Sequence, residues 1–138
     1  MSVFVDTGVF VAFHNTRDAN HDRALKLLRL IAEGELGAAY TSDYVFDEAV
    51  TVALVRTGRL ENAQAVGRMI LGELTAPFLV LLRTNHEAFK ETWRLFQQYA
   101  GRGLSFTDCS SIALMRAAGI ETMASFDTDF DGIVSRVS

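Results

Sequence analysis

Short apolar runs rich in β-branched and aromatic residues alternate along this chain with longer segments of helical period. That alternation limits the fold more than any other feature. The run "SVFVD" (2–6) reads as a buried strand ending in an acid, and Thr7 is placed to cap the helix "GVFVAFH" that follows. Residues 14–20 are polar and read as a loop. A helix is expected over 20–34, with Asn20 as cap, Ala24, Leu27, Leu28 and Ile31 as its apolar stripe, and Gly34 as its end. A second strand is expected over 37–42. Helices follow over 43–58, with Asp43 as cap and Gly58 as stop, and over 59–74. "PFLVLLRT" (77–84) reads as a strand, and 85–103 as a long amphipathic helix with Phe89, Trp93, Phe96 and Gln97 near one side. A helix capped by Thr107 (107–119), a strand (120–126) and a last short strand within "GIVSRV" complete the chain. Strands alternating with helices predict an α/β fold: a three-layer α/β/α sandwich around a central, mostly parallel sheet with right-handed crossovers. With 138 residues, 49% of them hydrophobic, and no linker or repeat, one domain over 1–138 is expected.

In such sheets the working groups gather outside the carboxyl ends of the strands. Asp6 follows the first strand and Asp127 follows the strand at 120–126, so two acids far apart in sequence are predicted to share one edge. Glu48 lies in an apolar helix on the face of Val45, Ala49 and Val52, with no base one turn away. A buried carboxylate there must be paired, protonated or bound to a cation. The alternative is a small rotation of the helix that lets Glu48 reach water, while Asp47 reads as the surface acid. Asp108 opens the helix at 107–119, where it complements the helix dipole. It also lies within about twenty residues of the acids after the next strand, in the same half of the domain.

The stretch "SFDTDFDG" (125–132) places three acids at alternate positions. Asp127, Asp129, Asp131 and Gly132 match the opening of an EF-hand calcium loop, but the twelfth position is Ser138 rather than a bidentate glutamate, and no exiting helix follows. The acids therefore point elsewhere. Asp6, Glu48, Asp108 and Asp127 are oxygen donors drawn from four segments, with Asp129 as a fifth candidate. Such a set suits Mg²⁺ or Mn²⁺ rather than zinc, and leaves coordination positions for water and a substrate phosphate.

Composition removes several other classes. A single cysteine, Cys109, excludes a disulfide framework and a cysteine-based zinc site. No apolar run reaches membrane-span length and the N-terminus lacks a signal-peptide pattern, so a cytoplasmic protein is expected. The net charge of −4 disfavours a strongly basic nucleic-acid binder, but not a nuclease whose positive charge arrives as metal.

The order "VFVDTGVFVAF", "TSDYVFDEAVT", "LSFTDCSSIALMRAAGIETMASFDTDF" resembles the PIN-domain ribonucleases, including the toxin halves of VapBC toxin–antitoxin pairs. The likeness spans essentially the whole chain, and its last stretch is the most specific part. The resemblance implies a Mg²⁺- or Mn²⁺-dependent endoribonuclease that leaves a 5′-phosphate and a 3′-hydroxyl. It places the family's metal-binding acids on Asp6, Glu48, Asp108 and Asp127, with Asp129 as an outer fifth acid and Thr7 or Thr107 as an accompanying hydroxyl. It further implies an RNA substrate, a homodimer and an antitoxin protein as partner, although PIN domains without an antitoxin exist.

Other residues carry weaker signals. Arg17, Arg23, Arg56, Arg59 and Arg102 sit at loops or helix ends where they can meet phosphates or simply face solvent. His14, His21 and His86 lack metal-ligand spacing, and Cys109 reads as a small buried side chain. Phe89, Trp93 and Phe96 read as core or dimer interface. Two rivals stand beside the nuclease. A receiver-type phosphoacceptor domain would need a lysine after a late strand, and the only lysines are Lys26 and Lys90. A PIN-like interaction module without turnover would not need the full set of acids.

Overall fold

The computed structural model describes residues 1–138. Five strands form one parallel sheet: β1 (Ser2–Val5), β2 (Ala38–Ser42), β3 (Leu79–Leu82), β4 (Thr122–Ala124) and β5 (Ser135–Val137), in the order β3-β2-β1-β4-β5. Six helices connect them: α1 (Thr7–His14), α2 (His21–Ala32), α3 (Asp43–Thr57), α4 (Leu60–Ile70), α5 (His86–Gln98) and α6 (Phe106–Ala118). From β1 to β3 the chain steps across the sheet in one direction, and from β3 to β4 it returns in the other. Right-handed crossovers therefore put the two sets of helices on opposite faces, giving the expected three-layer α/β/α sandwich. α1 packs against α2, α3 and α4, while α5 packs against α6. No helix is long and apolar enough to cross a membrane.

The central strand β1 shows why its sequence lacks alternation. Val3, Phe4 and Val5 are all fully buried, because helices cover both faces of the sheet. Val9 and Phe10 of α1, Leu95 of α5, Ile112 of α6, and Met123 and Phe130 close the core around it.

Several expected boundaries move, each for a local reason. β1 ends at Val5, and Asp6 rather than Thr7 takes the N-cap position of α1, though its side chain makes no cap hydrogen bond. Ser42, not Asp43, caps α3 by accepting from the Val45 amide, which frees Asp43 to accept from the amide and hydroxyl of Thr84. α4 stops at Ile70 instead of 74. Gly72 turns the chain at φ 74°, and a Cβ there would stand 2.9 Å from the Pro77 ring. α5 ends at Gln98 rather than 103 and gives way to a 3₁₀ turn, Ala100–Arg102. Ser105, not Thr107, caps α6. Its hydroxyl accepts from the Asp108 amide while the Asp108 carboxylate accepts from the Ser105 amide, a reciprocal capping box.

Candidate active site

The sheet order reverses between β1 and β4: the chain leaves β1 toward β2 on one side, and β4 arrives on the other. A crevice opens at the carboxyl ends of strands at such a switch point. Val5 pairs with Ala124 in register, and the Asp6 amide continues the ladder by donating to the Ala124 carbonyl at 3.0 Å. Asp6 and the loop after β4 are thereby held at one edge. A cleft of about 430 Å³ lies there, lined by Asp6, Thr7, Glu48, Ser105, Asp108 and Asp127, with Asp18 and Arg56 also contributing. All four acids expected as ligands thus border one space.

Each acid is placed by a different device. Asp6 is almost fully buried. Its Oδ2 accepts from the Ser125 hydroxyl at 2.7 Å, and its Oδ1 is buried without any hydrogen-bond partner. The same Ser125 oxygen accepts from the Asp127 amide at 3.0 Å, so one hydroxyl orients both strand ends. The Asp127 carboxylate caps the short 3₁₀ turn after it through the Asp129 amide at 2.9 Å. Asp108 is fixed by the capping box of α6. Glu48 projects from α3, half-buried, with no ion pair and no hydrogen bond, whereas Asp47 is exposed as expected. None of the four takes part in a salt bridge.

The electrostatics follow from this crowding. Burial lifts the Asp6 pKa from 3.8 to about 7; the Ser125 hydrogen bond pulls it back, and the charges of Asp108 and Glu48 push it further up. Burial also raises Asp108, opposed by its two hydrogen bonds with Ser105 and assisted by Glu48 and Asp127. Carboxylates held against their own repulsion in a partly dry cleft are the donor chemistry that a hard cation requires. The donors fit Mg²⁺ or Mn²⁺ by chemistry: all are carboxylate oxygens, and one of them, Asp6 Oδ1, has no other use. They border the cleft without being drawn into a ready coordination shell, since no three His, Cys, Asp or Glu side chains close on a common point.

Several neighbouring residues fall elsewhere. Asp129 is exposed and does not line the cleft; its carboxylate lies against Gly103, and its carbonyl accepts from Arg102. Asp131 pairs with Arg136 at 2.8 Å, so the calcium-loop pattern is divided between a cleft acid and a surface ion pair. Thr7 lines the cleft with its hydroxyl buried and unpartnered, whereas the Thr107 carbonyl receives the hydroxyls of Ser110 and Ser111 and its side chain is not part of the lining. Arg23 lies 4.8 Å over the Phe126 ring, and Arg102 ties the carbonyls of Asp129 and Asp131. Cys109 is fully buried. The sequence reading missed Ser125. Its signal was present, because a serine following the buried pair Met123 and Ala124 must find a partner when it is buried with them.

Comparison with known proteins bears on this site. The family profile of the PIN domain matches residues 3–134. The chain is 28% identical over 131 residues to the 23S rRNA-specific endonuclease VapC20 of Mycobacterium tuberculosis, covering 93% of this chain and 91% of that one. It is 22% identical over 131 residues to a VapC ribonuclease of Archaeoglobus fulgidus, covering 94% and 80%. The crystal structure of the Mycobacterium tuberculosis VapC20, a sarcin-ricin loop cleaving toxin, superposes with a TM-score of 0.80 over 93% of this chain and 92% of the other. VapBC2 from Rickettsia felis, solved bound to a promoter DNA fragment, shares the fold with a TM-score of 0.70 at 16% identity, covering 99% and 98%.

Proposed function

The chain belongs to the PIN-domain family, and from that membership we propose that it is a Mg²⁺- or Mn²⁺-dependent endoribonuclease acting as the toxin of a toxin–antitoxin pair. One observation carries the catalytic part: Asp6, Glu48, Asp108 and Asp127, from four separate segments, border one cleft at the switch point of the sheet. Family membership also disfavours the receiver-type alternative, whose lysine has no counterpart here. Lys26 lies on α2 and Lys90 on α5.

In this reading Asp6, Asp108 and Asp127 hold the cation. Ser125 keeps Asp6 and Asp127 in register, and the capping box keeps Asp108 at the mouth of α6. A bound divalent ion supplies charge neutralisation at the scissile phosphate and a lowered pKa for attacking water. Glu48 completes the donor set, and its lack of any protein hydrogen bond leaves an oxygen free to orient that water and accept its proton. Asp129 acts indirectly, through the amide that fixes the Asp127 carboxylate. The products are a 5′-phosphate and a 3′-hydroxyl.

The partners follow the same reading. A small antitoxin protein silences the cleft, and a second copy of the chain packs on the aromatic face of α5, where Phe89 and Trp93 are exposed. Cleavage of single-stranded RNA with Mg²⁺ or Mn²⁺ tests the core of the proposal. Asp6→Asn and Asp108→Asn are each expected to lower the rate at least about a hundredfold. Undiminished cleavage by either protein would overturn the assignment.

A further inference from the structure

A second hollow of about 650 Å³ opens beside the acid cleft, walled by the end of α1 and its following loop, the last turn of α3 and the start of α4. Arg56 lines both hollows, so the two are neighbours across its side chain. The character of the second is opposite to the first. Arg17, Arg56 and Arg59 converge on it, and its one acid, Glu61, pairs with Arg59 only loosely at 3.9 Å between exposed side chains. Arg56 reaches Asp18 at 3.7 Å, and the Arg17 guanidinium has no partner. Only one lining residue, Ala65, is apolar, so the hollow offers little to an apolar side chain of a protein partner.

Two further polar groups in its wall have capacity left over. The Asn62 amide nitrogen donates to the His14 carbonyl at 2.7 Å. That bond fixes which end of the amide is which, and leaves Oδ1 without a donor. The Nε2 of His14 also has no partner. Both atoms are closed off by the surrounding chain, so the reachable polar groups of the hollow are led by the exposed guanidiniums of Arg17, Arg56 and Arg59.

We propose that this hollow is a backbone subsite for single-stranded RNA, holding the phosphate next to the linkage cut in the acid cleft. The subsite rests on the nuclease reading above. Arg17, Arg56 and Arg59 take the backbone phosphate, a contact that positions the strand without reading its sequence. It also resolves an electrostatic difficulty: a chain of net charge −4 with a cleft of carboxylates repels a polyanion, and these arginines supply attraction one step away.

The test uses full-length Asp6→Asn protein, which keeps the RNA intact, and a fluorescein-labelled single-stranded RNA dodecamer read by anisotropy over a salt series. Adding Arg17→Ala and Arg59→Ala, both at exposed positions, is expected to weaken binding roughly tenfold. It should also flatten the slope of log K against log salt by about 1.4, at about 0.7 per lost phosphate contact. Arg116→Ala, exposed on α6 and outside both hollows, should change neither. Unchanged affinity in the double variant, equal losses from Arg116→Ala, or no binding by the parent would overturn the subsite. An oligoglutamate peptide held through the same two arginines, with RNA affinity unaffected, would overturn it in favour of a protein partner. Failure of the nuclease reading is seen separately: Asp6→Asn protein that still cuts RNA defeats catalysis, whereas inactive Asp6→Asn protein whose RNA affinity ignores Arg17 and Arg59 defeats only the subsite.

Discussion

The Ser125 hydroxyl donates to Oδ2 of Asp6 at 2.7 Å, joining two strand ends that lie 119 positions apart in the chain. Its oxygen also accepts from the Asp127 amide, so one buried atom sets the spacing of two acids. Ser125→Ala leaves two polar groups unsatisfied, at a cost of about 1–3 kcal/mol. It also removes the larger of two contacts that lower the Asp6 pKa, so the Asp6 proton is held more tightly than at present. The pH for half-maximal RNA cleavage should rise, and Mn²⁺ affinity by calorimetry should fall roughly tenfold. An unchanged pH profile in a folded variant would show that Ser125 only fills space.

The raised Asp6 pKa has a consequence for stability. The folded protein holds this proton up to about pH 7, while the unfolded chain releases it near 3.8. The favourable contribution is therefore complete below 3.8 and is lost as pH rises toward 7, because more protons are bound in the folded state across that window. In chelator-treated protein the loss is on the order of 4 kcal/mol. Asp6→Asn cannot titrate, so thermal melts from pH 4 to 8 should show the wild type losing ground against it as pH rises. Parallel curves for the two proteins would contradict the placement of a buried, crowded carboxyl at position 6.

Glu48 pushes up the pKa of both Asp6 and Asp108, so it destabilises the cation-free cleft that it helps to form. Glu48→Gln should stabilise chelator-treated protein by about 1 kcal/mol at pH 8, yet weaken Mn²⁺ binding and slow cleavage by about tenfold or more. Opposite movement of stability and activity is the signature to look for. Loss of both together would mean that Glu48 is instead a structural side chain.

How far the sequence revealed this arrangement depends on what each residue's role requires. The α/β alternation was legible because a strand covered on both faces, such as Val3-Phe4-Val5, must be uniformly apolar, and helices such as α2 must carry a stripe. The gathering of Asp6 and Asp127 at one edge was legible from parallel topology alone. Caps were misread at Thr7, Asp43 and Thr107, because serine, threonine and aspartate compete for the same role, and only the turn geometry chose Asp6, Ser42 and Ser105. The outward position of Asp129 was not legible, because spacing does not say which alternate carboxylate a 3₁₀ turn sends outward. Among five candidate arginines, Arg23 and Arg102 spend their charge on Phe126 and on loop carbonyls. Nothing local in the sequence separates them from the three that line the second hollow.

The outer face of α5 carries the remaining expectation. Ala88, Thr92 and Leu95 turn inward, while Phe89 and Trp93, one turn apart, are 49% and 53% exposed. Trp93 stacks on Phe96 at 6.2 Å, and Phe89 meets Phe106 at 5.5 Å, so the two rings cap an aromatic row that ends open to water. A continuous exposed aromatic row is the kind of surface a partner can cover. With a chain mass of 15.2 kDa, light scattering on the purified protein should report twice that value. Trp93→Glu should return it to a single chain, because the charge would have to be buried without a partner in the interface. The melting temperature of the wild type should rise with protein concentration and that of the variant should not, since only the wild type is held by a partner. A wild type that scatters as one chain, or a Trp93→Glu protein that stays paired, would remove α5 from the interface.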